Sequence, residues 1–220
     1  MRKVLSTKKL TLVQKELLLN SGISLIEYDA ISISPLDFEL PESIRHAIFT
    51  SNNAVEIVFN SRKNSPKIDK VYCVGAKTSR KLTDLGQNVV KTADNASKLS
   101  HFILNSFENE DFYFFCGSLR RDEIIEYLKS SKNRLFEVKT YKTELKRKIF
   151  GQIFDGIMFF SPSAVASFTL VNKLSESNAF CIGETTAAEA KKHTKNVYVS
   201  NNTSIESVIA KTVKILKKND

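Results

Sequence analysis

Hydroxyl, amide and glycine residues gather at a few points where an apolar run gives way to helix-like spacing, and that chemistry suits the holding of anions. Thr50-Ser51-Asn52 follows Ile48-Phe49, and Ser161-Pro162-Ser163 follows Met158-Phe159-Phe160. Gly75, with Thr78 three residues on, follows Val71-Tyr72-Cys73-Val74; Gly183, with Thr185 and Thr186, follows Phe180-Cys181-Ile182. Ser, Thr and Asn cap the first free amides of a helix, and those amides together with the helix dipole attract negative charge. Ordinary capping accounts equally well for any one of these residues. Among the cations, Lys8, Lys9, Lys77, Arg80, Arg120 and Arg121 also follow strand-like runs. The runs Lys191-Lys192 and Lys214 to Lys218 read instead as solvated helix faces.

The elements that position these turns occur twice. Ile48-Phe49-Thr50-Ser51-Asn52-Asn53-Ala54-Val55 is matched by Met158-Phe159-Phe160-Ser161-Pro162-Ser163-Ala164-Val165, each reading as strand, polar turn and helix. Downstream, Val71-Tyr72-Cys73-Val74-Gly75 is echoed by Ala179-Phe180-Cys181-Ile182-Gly183, and Asn88-Val89 by Asn196-Val197. Two blocks repeated in the same order imply two related α/β halves. In an open parallel sheet, ligands sit outside the carboxyl ends of the strands, where these polar turns fall.

The spacing predicts a strand over 2–6, a helix over 12–20 and a strand over 23–28, and then an extended connector near 26–36 broken by Pro35 and Pro41. Strands over 47–50, 70–74, 88–92 and 112–116 alternate with helices over 53–60, 78–85, 96–106 and 122–130. Such alternation signals a parallel sheet with crossovers. A second extended connector is expected near 134–145. Strands over 156–160, 178–182 and 196–200 then alternate with helices over 164–174, 186–193 and 204–217. The chain thus crosses between domains twice: residues 1–33 and 142–220 form one discontinuous α/β domain, and 36–136 an inserted one.

The chain has 220 residues, 42% hydrophobic and 26% charged, an ordinary globular balance. Its net charge of +9 points to an anionic partner without choosing among nucleic acid, an acidic membrane and a small polycarboxylate. Cys73, Cys116 and Cys181 lie in apolar runs and share no metal-ligand spacing with each other or with His46, His101 and His193, so no metal site is expected. No apolar run approaches the ~18 residues of a membrane span. Gln14, Lys15 and Glu16 interrupt the N-terminal stretch where a signal peptide needs an apolar core, so a cytoplasmic protein is expected.

The order and spacing of several segments resemble the uroporphyrinogen-III synthase family over nearly the whole chain. They are the turn from Phe49 to Val55, Val74-Gly75, the connector Val138-Lys139-Thr140-Tyr141-Lys142-Thr143, the turn from Phe160 to Ser163, and Ile182-Gly183-Glu184-Thr185-Thr186-Ala187. The resemblance implies two α/β domains joined by a two-stranded connector, with the active site in the interdomain cleft. It implies cyclisation of hydroxymethylbilane, a linear tetrapyrrole carrying eight carboxylates, to uroporphyrinogen III with inversion of ring D and loss of water. Neither cofactor nor metal is implied. Tyr141 matches the family's cleft tyrosine and is expected to donate a proton or hydrogen bond to the departing hydroxyl; a tyrosine that merely packs at the hinge is the alternative. Thr50, Ser51, Asn52, Gly75, Thr78, Ser161, Ser163, Gly183, Thr185 and Thr186 carry over as rim groups for carboxylates. Ser118 and Arg120, after Phe114-Phe115-Cys116-Gly117, would meet a propionate. Where the family often has an arginine, Ser6-Thr7-Lys8-Lys9 supplies lysines, which balance charge but lack arginine's planar paired donors for a carboxylate. A monomer is expected, with transient handover of substrate from hydroxymethylbilane synthase and without nucleic acid or membrane as partners.

The competing expectation is a non-catalytic two-lobed protein that captures a polyanionic ligand. A nucleic-acid binder lacks aromatic-basic interleaving or a zinc pattern to support it. A nucleotide enzyme lacks both G-x-G-x-x-G and G-x-x-x-x-G-K-[ST].

Overall fold

The computed structural model describes residues 2–60, 66–119, 123–174 and 176–218. The chain divides into two compact units, one comprising Met1–Ser32 with Glu144–Asp220, the other Ile33–Thr143. Both are α/β assemblies on mostly parallel sheets, as the alternation of elements predicts.

The first unit begins with β1 (Lys3–Ser6), α1 (Leu12–Leu19) and β2 (Ser24–Glu27). Thr11 and Gln14 start α1 with a reciprocal capping box, and Gly22, at φ 74°, turns the chain out of it. The unit resumes with β9 (Gly156–Phe159), α6 (Pro162–Thr169), β10 (Asn178–Cys181), α7 (Glu184–Ala190), β11 (Val197–Val199) and α8 (Ile205–Lys218). Its five strands lie in the order β11-β10-β9-β1-β2, every pair parallel. Alternation along the strands sends Leu5, Ile157, Phe159, Ala179 and Cys181 to one core, and Val4, Met158 and Phe180 to another. Helices therefore cover both faces of the sheet.

The second unit runs β3 (Ile31–Pro35), β4 (Ser43–Phe49), α2 (Asn52–Asn60), β5 (Lys67–Val74), α3 (Ala76–Asp84), β6 (Val89–Ala93), α4 (Ala96–Ser106), β7 (Asp111–Gly117), α5 (Glu123–Leu128) and β8 (Arg134–Leu145). Strand order is β3-β8-β7-β4-β5-β6. Ala47, Phe49, Val71, Cys73 and Phe115 face one core, while Ile48, Tyr72, Phe112, Phe114 and Cys116 face the other.

Three differences from the sequence expectations have physical causes. The segments expected as extended connectors are strands of the second sheet: β8 pairs with β7 along most of its length, and β3, at the sheet edge, lies on its other side. A half-buried alternating segment carries the same pattern whether or not a sheet receives it. Strand β4 starts at Ser43 rather than 47, because Arg45 and His46, which look like breaks in an apolar run, find partners in Glu110 and Tyr72. Helix α6 stops at Thr169 rather than 174. There Asn172 donates to the carbonyls of Phe168 (3.0 Å) and Lys148 (2.8 Å) and accepts from the Phe150 amide (3.0 Å), holding a turn that a continuing helix could not.

Candidate functional site

In each sheet the connections reverse direction once, and an open parallel sheet leaves a crevice at the carboxyl ends of the two strands flanking that reversal. In the second unit the reversal falls between β4 and β7, the chain passing outward to β5 and β6 on one side and to β8 on the other. Beneath this edge Phe49 and Phe115, paired across the strands, stack with centroids 4.7 Å apart.

Thr50, Ser51 and Asn52 form the turn from β4 into α2, and all three are half-buried. Ser51 Oγ accepts from the Asn53 amide at 3.2 Å and from the Tyr141 hydroxyl at 2.9 Å. With both lone pairs engaged, its own proton is left to donate outward. Asn52 Oδ1 is buried with no hydrogen-bond partner among the described residues, which makes it an unused acceptor at the same turn.

Tyr141 comes from β8, and a β-bulge sets its direction. Cys116 pairs with Lys139 but Gly117 with Tyr141, so Thr140 is the extra residue. This shift places Tyr141 in the same core cluster as Val138, three residues away, which strict alternation would forbid. Thr140 Oγ1 donates to the Cys116 carbonyl (3.1 Å), the Ser118 amide to the Tyr141 carbonyl (2.8 Å), and the Thr143 amide to Ser118 Oγ (3.0 Å). Ser118 thus fastens the end of β8 to β7. Tyr141 is only 9% exposed. Burial pushes its phenol above the ordinary value, against the hydrogen bonds with Ser51 and Asn53, so at neutral pH it is a protonated donor.

Elsewhere the predicted rim residues divide by burial. Gly75 caps α3 at φ 88° with no side-chain cap bond, leaving the first amides of that helix free of one. Thr78, on α3, is 4% exposed, and Thr186, on α7, is 1% exposed. Their side chains face the interior, because helical spacing turns these positions toward the sheet. They are unsuited to the rim role expected of them. Gly183 is extended and Thr185 exposed. Ser161 Oγ accepts from the Ala164 amide at 3.1 Å to cap α6, with Pro162 in the first turn, and Ser163 is half-buried. This turn follows β9, which with β1 flanks the reversal of the first sheet. Lys8 and Lys9, after β1, are exposed. Arg120 and Arg121 lie outside the described residues.

The three cysteines are free and buried, and burial pushes Cys73 upward and Cys181 to about 12, so neither is a ready nucleophile. Among the described residues no group of three or more His, Cys, Asp and Glu could hold a metal ion, and no helix is long and apolar enough to cross a membrane. The sequence assigned no role to Thr140, Asn53 or Gly117. Gly117 alone left a signal: a glycine closing a run of buried strand residues marks a bulge or a close approach.

Residues 13–210 match the protein family described as "Uroporphyrinogen-III synthase HemD". The porphyrin biosynthesis protein HemD of Ruminiclostridium josui is 28% identical over 234 residues, a match that takes in 93% of this chain and 46% of that one. The chain therefore spans about half the length of this curated relative. The crystal structure of uroporphyrinogen-III synthetase from Helicobacter pylori superposes with a TM-score of 0.64 at 17% identity, over 98% of this chain and 100% of that one. A mutant uroporphyrinogen III synthase from Thermus thermophilus gives 0.74 at 14% identity, over 99% and 100%. At such identities these two structures share the fold with this chain.

Proposed function

The chain belongs to the uroporphyrinogen-III synthase HemD family, and on that premise we propose that it closes hydroxymethylbilane to uroporphyrinogen III, inverting ring D and releasing water. The observation that carries this is the buried, protonated Tyr141 hydroxyl, held 2.9 Å from Ser51 Oγ at the reversal point of the sheet.

The Tyr141 proton, relayed through Ser51 Oγ, reaches the terminal hydroxymethyl oxygen as the carbon–oxygen bond breaks, and the oxygen leaves as water. The azafulvene so formed is electron-poor. Ring D attacks it through its already substituted carbon, giving a spiro intermediate; one carbon–carbon bond then breaks and another forms, with the ring turned over. Loss of a proton restores the aromatic pyrrole and returns to the protein the proton that Tyr141 gave. The pyrroles supply the reactivity, so the protein mainly orients the chain and keeps the leaving oxygen protonated.

The substrate's carboxylates suit the exposed or half-buried turn groups: Thr50, Ser51, Ser161, Ser163, Thr185 and the amides after Gly75 and Gly183. Lys8 and Lys9 supply balancing charge as single-point donors. Asn52 Oδ1, an unused acceptor at that turn, suits a pyrrole N–H. The same proposal has the enzyme act in the cytoplasm as a monomer, without metal or cofactor, taking its substrate from hydroxymethylbilane synthase.

Freshly generated hydroxymethylbilane, incubated with the protein, oxidised and resolved into type I and type III uroporphyrin, tests the reaction. Without protein the bilane closes to type I. Protein-dependent type III is the expected product; type I alone, from folded protein, would leave only the capture of a polyanionic ligand.

A further inference from the structure

With Tyr141 taken as the donor, we propose that Gly117 is its positioning residue: by carrying no side chain on the strand that the tyrosine must cross, it lets the phenol reach Ser51.

Tyr141 and Ser51 belong to strands that are not neighbours. Tyr141 lies on β8, Ser51 follows β4, and β7 runs between them. Adjacent strands are about 4.8 Å apart, so a side chain rooted on β8 reaches the turn after β4 only by passing over β7. The residue of β7 that pairs with Tyr141 is Gly117. A methyl group there would sit 2.8 Å from the tyrosine hydroxyl and nearer still to Cε2 and Cζ, closer than carbon atoms can approach.

Backbone conformation does not demand this glycine. Gly22, Gly75 and Gly86 adopt positive φ; Gly117 does not. The three atoms nearest a β-carbon at 117 all belong to the Tyr141 ring and its hydroxyl. Nor can the strand back away, because the Ser118 amide holds the Tyr141 carbonyl at 2.8 Å and the Thr143 amide holds Ser118 Oγ at 3.0 Å. Relief must come from rotation of the ring, which takes the hydroxyl off Ser51. Bulge and glycine therefore act together: the bulge turns Tyr141 to the correct face, and the glycine clears its path.

Three variants test this: Gly117→Ala, Tyr141→Ala, and the two combined. A misplacement of about 1 Å costs on the order of 100-fold in rate, so Gly117→Ala is expected to lose roughly 10- to 100-fold of type III formation in kcat, with KM little changed. In the Tyr141→Ala background the same change should cost less than about twofold, since the ring it obstructs is gone. The Tyr141 ring carbon signal in 13C-tyrosine NMR should also titrate nearer the ordinary phenol value in Gly117→Ala, as the displaced hydroxyl meets water. Should Gly117→Ala fail to fold, the double variant still decides: recovery of its melting temperature supports the steric coupling, and equal loss in both backgrounds overturns it. Full type III activity of Gly117→Ala also overturns it. Absence of type III from the wild type would instead sink the cyclisation itself, and full activity of Tyr141→Ala the role of the tyrosine; melting temperatures still read the contact in either case.

Discussion

His46 Nδ1 lies 2.9 Å from the Tyr72 hydroxyl, and both residues are almost fully buried in the second unit. His46 stacks on Phe112 at 4.7 Å, and its Nε2 faces the Glu110 carboxylate at 3.4 Å without making a hydrogen bond. Burial pushes Tyr72 up to about 12, so its hydroxyl stays protonated, and the neutral tautomer that turns its Nε2 proton toward the Glu110 carboxylate leaves Nδ1 to accept from it.

That pair predicts acid sensitivity. Burial holds His46 below its ordinary value, Arg45 and Lys70 push the same way, and Glu110 opposes them. An unfolded histidine titrates near ~6.5, so protonation favours the unfolded chain: this contribution is complete above that pH and is lost as pH falls from there through the lower folded value. Thermal melting from about pH 8 to about pH 5 should show a falling melting temperature. His46→Phe should flatten that slope while lowering the melting temperature at the alkaline end, because Tyr72 loses its acceptor. An unchanged slope would remove His46 from the effect.

Tyr141→Phe should reduce type III formation by about 100-fold, within the usual span for a lost general acid. Its stability cost should stay near about 1 kcal/mol, the worth of one hydroxyl hydrogen bond. Steady-state turnover and urea unfolding separate the two effects, and near-wild-type turnover would take Tyr141 out of the chemical step.

The two glycines of the repeated cassette should respond differently to alanine. Gly75 sits at φ 88° with open space around it, so Gly75→Ala meets only backbone strain, about 1–3 kcal/mol. Gly183 is extended, and a methyl there would lie at an ordinary 3.6 Å from Thr203 Cγ2. Gly183→Ala should fall within about 0.5 kcal/mol of wild type. Paired urea titrations check both; equal losses would contradict the conformational distinction.

Rim hydroxyls should separate from buried ones. Ser51→Ala removes the acceptor of Tyr141 at the substrate turn and should lower type III turnover by about tenfold or more. Thr186→Val, at a position 1% exposed, should leave KM for the bilane unchanged. A raised KM in folded Thr186→Val would restore that residue to the binding surface.

Tyr28→Phe should be neutral or stabilising. Its hydroxyl is buried without a hydrogen-bond partner among the described residues, and burial pushes it to about 12. An orphan of this kind costs about 1–3 kcal/mol, which phenylalanine would avoid. A lowered melting temperature would mean that a bound water satisfies the hydroxyl.

Much of the scaffold was legible because it depends on local periodicity. The repeated strand-turn-helix blocks around Phe49 and Phe159, the helix over Ala96–Ser106 and the glycine stops at Gly22 and Gly86 are set by apolar spacing and backbone freedom, which one chain displays. Ser51 and Ser161 could be placed at helix starts for the same reason, and Tyr141 could be singled out by its family resemblance.

What Tyr141 touches was decided by tertiary structure. Its face is set by a one-residue bulge opposite Cys116 and Gly117, and its reach to Ser51 by the order β8-β7-β4, in which the intervening residue carries no side chain. Neither sheet order nor register is written in the spacing of a single strand. Likewise, Thr78 and Thr186 share residue type and turn context with the rim groups, yet helical rotation turns both inward. The sequence determined by itself which residues stand at strand ends, because hydrophobic periodicity is a local property. Only the packed sheet determined which of them meet, because contacts between residues ninety apart depend on strand order, register and bulges that form when the chain collapses.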